Sequence, residues 1–295
     1  MAEYFETSSK KGGRGLGRES LALIEAMREI SEATQPITGR GVGYQLFTRS
    51  LIPSMKEGMP KVYRLLKIAR ERGYIPWEWI VDETRGIEKV PTWNNPAAFA
   101  RCAARSYRRD FWKQQPVRCE VWAEKGTVRG VLQPVLDEYG VGFRVMHGFG
   151  SATEIYGVSQ HQDGRALIVF YVGDYDPSGM CMSEKDLPKR LSQYGGDHIA
   201  LARIALTKSQ ARGLPSFSVE EKKTDKRYDW FKREYGHHCW ELDAMNPNDL
   251  RACVEEAIKE LIEPEAWDRC MVMNRAEQQS IQTILDGWKD ASPLS

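Results

Sequence analysis

Three carboxylates sit where chemistry is possible. Asp174 and Asp176 lie in GDYDPSG (residues 173–179). Two positions apart, they point to the same side of an extended backbone. Pro177 and Gly179 then force an immediate turn, which holds both carboxylates where the extended run RALIVFYVGD ends. Glu124 stands in the same relation to an earlier run, VRCEVWAEKG. Acidic pairs at strand ends also cap helices or bind solvent. A third carboxylate at the end of another strand changes the balance, because three gathered carboxylates repel one another unless a cation lies among them. A hard cation with oxygen ligands, Mg²⁺, is the natural occupant and takes phosphate oxygens as further ligands. Such a site stabilises the charge that develops in phosphoryl transfer.

These residues need a frame. After Pro116, strand-like runs (VRCEVWAEK, VGFRVMHGFG, RALIVFYVGD, HIALARIALT) alternate with helical ones (TVRGVLQPVLDEYG, SATEIYGVSQ, DLPKRLSQYG). That order predicts an α/β domain over residues 116–295 with a mostly parallel sheet and C-terminal helices, α+β over the whole chain. Glu124, Asp174 and Asp176 then fall at the carboxyl ends of strands, where open α/β sheets bind ligands. Residues 208–240 are charged and aromatic and resist assignment.

Upstream, ESLALIEAMREISEA repeats apolar residues near a 3.6 period and predicts an amphipathic helix. Pro36 ends it, and Thr38 can cap a second helix, GRGVGYQLFTRSLI. A third follows Pro60, with Val62, Leu65, Leu66 and Ile68 as its apolar face and Gly73 as its stop. Two β-prone runs, YIPWEWIVDE and TRGIEKVPTW, read as a hairpin, and a helix over NPAAFARCAARSYRRDFW closes the block. Three helices and a hairpin are the order of a winged helix-turn-helix domain, here residues 18–115. Residues 38–113 carry 15 Lys/Arg against 7 Asp/Glu, whereas the stretches on either side are mildly acidic. Either this face attracts a polyanion or it is an Arg-rich solvated surface. On the first reading Lys61, Arg64, Lys67, Arg85 and Arg108 are candidate DNA phosphate contacts.

The formal net charge is +1 over 295 residues. The longest apolar run, residues 166–172, is far short of the ~20 residues of a membrane span, so no membrane partner is expected. Residues 1–17, rich in Gly, Ser and Lys, read as a disordered tail without the apolar stretch of a signal peptide. Six cysteines without a CxxC pair read as reduced thiols, which fits a cytoplasmic protein, nucleoid-associated if prokaryotic.

The EK after the first strand, with GDYDPSG about fifty residues later, resembles the Toprim domain of topoisomerases, primases and related nucleases. TGRGVGYQLFTRSLI, with the helix and hairpin after it, resembles the CAP-like winged helix of the topoisomerase VI A subunit, whose family includes the meiotic double-strand-break protein. IALTKSQARGLP and CWELDAM resemble segments that follow the acidic motif there, so the resemblance covers roughly residues 36–262. It implies a homodimeric type IIB enzyme, the A subunit of an ATP-hydrolysing, type II-like DNA topoisomerase, acting on double-stranded DNA. In that family an arginine precedes a catalytic tyrosine by four residues, matched here by Arg40 and Tyr44. Tyr44 would form a 5′-phosphotyrosyl link and release a 3′-hydroxyl. Glu124, Asp174 and Asp176 would hold Mg²⁺, with Glu124 also counted among the catalytic residues. The tyrosine of one subunit would work with the metal of its partner. A phenol of reference pKa ~10 needs a nearby cation or base to attack at neutral pH, and Arg40, one helical turn away, can face the same phosphate.

The chain departs from the family in GRGVGY, where Gly39, Gly41 and Gly43 each cost a helix ~1 kcal/mol relative to Ala. The run either delays the helix or lets the backbone approach something closely, a phosphate included. No Walker pattern occurs, so strand passage would need a separate ATPase B-type subunit. Two alternatives remain: a Toprim-type nuclease that uses metal-activated water, and a non-catalytic DNA-binding module. His237, His238 and Cys239 read as packing or surface residues rather than zinc ligands. Ser178 reads as a helix cap, His147 as a rim or structural histidine, and Trp77, Trp79 and Trp93 as packing around the wing. Lys125 either contacts a phosphate or balances local charge.

Overall fold

The structure is a computed structural model describing residues 16–81, 90–146 and 151–289. The tail through residue 15, Arg85 and His147 lie outside the described residues.

Helix α1 (Arg18–Thr34) ends before Pro36, and a two-residue strand β1 (Ile37–Thr38) leads into α2 (Gly39–Thr48). The Thr38 hydroxyl accepts the Gly41 N–H at 2.8 Å, so the expected cap is formed. The third helix, α3 (Met55–Glu71), starts earlier than expected because Ser54 caps it and Pro60 is carried inside. Gly73, at φ 73°, ends it. The Gly73 and Tyr74 N–H groups return to Arg70 O and Ala69 O, a Schellman closure. These helices share one core built on Ile24, Met27, Val42, Leu46, Val62 and Leu65.

The expected hairpin takes another course. Residues 77–79 form a 3₁₀ turn, and the strand after it, β2 (Ile80–Val81), pairs in parallel with β1. Residues 82–89 of the second run lie outside the described residues, and residues 90–95 carry no strand. Val81 explains the diversion. It packs so tightly on Gly130 that a Cβ there would lie 2.5 Å from Val81 Cγ1, which fastens β2 to the second half of the chain.

Helix α4 (Pro96–Ser106) follows, then β3 (Arg118–Ala123), α5 (Thr127–Tyr139), β4 (Gly142–Val145), α6 (Ala152–Gln160), β5 (Leu167–Val172), α7 (Pro177–Cys181), α8 (Leu187–Gln193) and β6 (Ile199–Ala205). The long strands form the expected parallel sheet, in the order β4-β3-β5-β6. Successive residues feed opposite faces. Val121, Ala123, Phe170 and Val172 join the core under α5, whereas Trp122, Val169 and Tyr171 join one under α6 and α8. Burial on both faces is why β5 is continuously apolar, whereas β3, β4 and β6 each carry a charged residue (Glu120, Arg144 and Arg203).

The previously unassigned segment 208–240 holds β7 (Phe217–Ser218), α9 (Tyr228–Tyr235) and β8 (His238–Cys239), with β7 and β8 antiparallel. Helices α10 (Pro247–Lys259) and α11 (Pro264–Lys289) end the described chain. Trp267 of α11 stacks edge-on against Phe111 at 4.9 Å and Trp112 at 5.9 Å. Residues 96–114 therefore pack with the C-terminal helix, and the N-terminal core closes at Ile80 rather than near residue 115.

Candidate functional site

In the order β4-β3-β5-β6 the chain leaves β3 toward one edge and β5 toward the other. The adjacent ends of β3 and β5 are thus the topological switch point, where a crevice opens beyond the sheet. Glu124 follows β3, and Asp174 and Asp176 follow β5, so the sheet brings all three expected carboxylates to that crevice. Tyr175 points the other way, into an aromatic cluster with Phe231, Tyr235 and Trp240.

Each aspartate is held at both oxygens. Asp174 accepts the Leu242 N–H at 2.8 Å on one and meets Lys125 Nζ at 2.8 Å on the other. Asp176 accepts the Gly179 N–H at 2.8 Å and meets Lys222 Nζ at 3.0 Å. Asp176 itself is therefore the cap of α7, the role expected of Ser178, because its side chain reaches back over the turn. Behind the loop, the buried Arg203 guanidinium donates to Gly173 O at 3.0 Å and Gly179 O at 2.6 Å, clamping both ends of 173–179.

Glu124 differs. It is half-buried and makes no hydrogen bond or ion pair among the described residues. Burial, then Asp174 and Asp176, push its carboxyl above the ordinary value against the opposing pull of Lys125 and Lys222. Burial alone would lower both lysines. Asp174 and Asp243 hold Lys125, and Asp176 holds Lys222, above their ordinary values, so both ammonium groups stay charged.

Arg40 and Tyr44 share a face of α2, with the guanidinium 5.9 Å from the ring centroid. Arg40 donates through two nitrogens to both oxygens of Glu241. Tyr44 is 4% exposed. Burial and Glu241 push its phenol up, more than Arg40 lowers it, so it is protonated at neutral pH. The glycine run does not delay the helix, which begins at Gly39. Gly43 permits close packing on α3, since a Cβ there would lie 2.1 Å from Met59 Sδ.

A groove of about 480 Å³ is lined by Arg40, Tyr44, Tyr63, Lys222 and Glu241. A second, sharing Arg40, Tyr63 and Glu241, adds Lys125 and Asp243. The WELD segment, residues 240–243, is the partition: Glu241 holds Arg40, while Asp243 accepts the Thr38 hydroxyl and faces Lys125 at 3.8 Å. Sequence reading missed Glu241, Asp243 and Lys222 as site residues. Alternation in W-E-L-D, the pattern that singled out D-Y-D, was the available signal for the first two.

Five carboxylates (Glu124, Asp174, Asp176, Glu241, Asp243) thus meet three contacting cations (Arg40, Lys125, Lys222), an excess of two negative charges. Among the described residues no three or more His, Cys, Asp or Glu side chains form a ready-made metal cage. The all-oxygen donor set and the unpaired Glu124 nevertheless fit a hard divalent cation, provided it takes the places of the lysine ammonium groups.

Of the candidate phosphate contacts, Lys61, Arg64 and Lys67 share α3, whereas Arg108 lies apart from them. Lys61 pairs with Glu19, and Lys67 meets Glu71 at 3.7 Å. Arg64 is exposed on α3. Arg108 donates to the Asp137 and Glu138 carbonyls, closing the C-terminus of α5 rather than extending the α3 surface. All six cysteines are free thiols, and no helix of the described residues is long and apolar enough to cross a membrane.

Compared with protein-family models, curated proteins and solved structures, the chain matches none.

Proposed function

We propose that the protein cleaves double-stranded DNA in an Mg²⁺-dependent transesterification, as a type IIB topoisomerase A subunit does, through an N-terminal three-helix unit carrying Tyr44 and a Toprim-like unit carrying Glu124, Asp174 and Asp176. The observation that carries this reading is the shared groove. Tyr44 and Arg40 line it together with Lys222, the counter-ion of Asp176.

In this mechanism a backbone phosphate displaces Glu241 from Arg40, whose fork matches phosphate oxygens as well as carboxylate ones. Glu241, freed beside Tyr44, accepts the phenol proton. The phenol oxygen bonds to phosphorus, the bond from phosphorus to the 3′ oxygen breaks, and that oxygen takes up a proton to leave a 3′-hydroxyl. Glu124, Asp174 and Asp176 would hold Mg²⁺, which when bound would supply positive charge at the phosphoryl group. The same groove would serve a homodimer, with or without a separate ATPase subunit.

The test is cleavage of supercoiled plasmid in Mg²⁺, quenched with detergent and analysed with and without protease. Wild type is expected to break DNA and leave protein on the 5′ ends, and Tyr44→Phe to do neither. The burial of Tyr44 and its raised phenol favour a second reading, a Toprim-type nuclease using activated water. Cleavage by Tyr44→Phe at the wild-type rate, without adducts, would establish that reading and remove the first.

A further inference from the structure

Lys222 lies in the segment that resisted assignment from sequence, yet it is held firmly. It ends a 3₁₀ turn, Val219–Lys222, whose first residue is fully buried and donates its N–H to His237 O at 2.9 Å. The Ser218 hydroxyl accepts the Glu220 N–H at 3.2 Å, and β7 and β8 close the base of the turn. The ammonium reaches Asp176 Oδ2 at 3.0 Å, and Lys222 also lines the groove of Tyr44. Among the described residues it alone combines those two positions. Arg40 lines the groove but pairs with Glu241, and Lys125 pairs with Asp174 but lines the neighbouring groove.

We infer that Lys222 is a catalytic residue of the proposed cleavage site, exchanging Asp176 for a non-bridging oxygen of the DNA phosphate when a divalent cation takes the carboxylate. The inference rests on the DNA-cleavage reading. An ammonium is a point charge on a flexible stem and can make this exchange by rotating side-chain bonds, with the 3₁₀ turn fixed. Lys222 remains protonated throughout; it forms no covalent bond and contributes charge alone. The exchange couples the two ligands: the cation releases the lysine, and the lysine then helps hold the phosphate.

The test separates binding from cleavage. In a Tyr44→Phe background that cannot form adducts, affinity for a fluorescent 30-base-pair duplex is measured by anisotropy in EDTA and in Mg²⁺, with and without Lys222→Met. The expected result is about a tenfold loss of affinity in Mg²⁺ and less than a twofold change in EDTA, where Asp176 retains the lysine. With Tyr44 intact and Mg²⁺ saturating, Lys222→Met is expected to slow adduct formation about 10²-fold, as removal of one charge-stabilising donor does. Lys222→Arg should restore most of the rate. Equal losses of affinity in both conditions, no loss in either, or an unchanged adduct rate would each overturn the inference. If wild type makes no adduct, the tyrosine reading fails while the affinity comparison still decides whether Lys222 meets phosphate. Thermal melting of each variant identifies losses caused by unfolding.

Discussion

Glu124 stands near Asp174 and Asp176 with no cation in contact among the described residues, and its raised carboxyl has a consequence for stability. The folded protein holds this proton more tightly than the unfolded chain does. Stability therefore falls as pH rises from the unfolded carboxyl value to the raised folded one, and the penalty persists above that window. Glu124→Gln is expected to raise the melting temperature of metal-free protein at pH 7, with the gain fading in acid. Mg²⁺ should reverse the order, stabilising wild type and leaving the variant unchanged; scanning calorimetry across pH reads both effects. Arg40 presents the complementary case, for its charge is already matched by Glu241. At this scale Asp174 and Asp176 were legible from their spacing and Glu124 from its place at the end of another strand, whereas the Arg40–Tyr44 pair was singled out by the family resemblance, to which the i, i+4 spacing only adds that both can share a face. Lys222 and Glu241 were not legible, because their places depend on a turn and a loop folded back from later in the chain.

The elements show why local pattern succeeds in one half and falters in the other. β5 and the end of β3 are apolar on both faces because both faces are covered, and their carboxyl ends followed directly from strand–helix alternation. β2 has a strand's composition, but its partner was settled by Val81 and Gly130, forty-nine positions apart, and no periodicity carries that contact. Gly130→Ala should force the added methyl against Val81, costing about 1–3 kcal/mol by overpacking. The double variant with Val81→Ala should recover most of the loss, and urea denaturation of the three variants measures the coupling. The start of α3 was misplaced for a related reason: a Ser54 cap outweighed the tendency of Pro60 to open a helix.

Across the molecule, Arg251 of α10 is one of the polar ties, with Arg40–Glu241 and Thr38–Asp243, between the helical unit and the rest of the chain. It donates to Thr34 O at 2.9 Å, Pro36 O at 3.2 Å and Val131 O at 3.0 Å. Arg251→Ala removes these part-buried hydrogen bonds and is expected to cost about 1–3 kcal/mol, which calorimetry reads as a lowered melting temperature. That tie also fixes where the groove can form. Arg40, Tyr44 and Lys222 meet inside a single chain, so a protomer carries its own nucleophile candidate beside its own acidic trio. Genetic complementation reads this directly. When Tyr44→Phe and Asp174→Ala protomers are mixed, each lacks one necessary part, so a site built within one chain should leave the mixture silent on plasmid DNA, in contrast to the exchange between subunits that the family resemblance implies. Cleavage restored by mixing would mean that working sites are assembled from two chains, and that inheriting one defective copy need not abolish them.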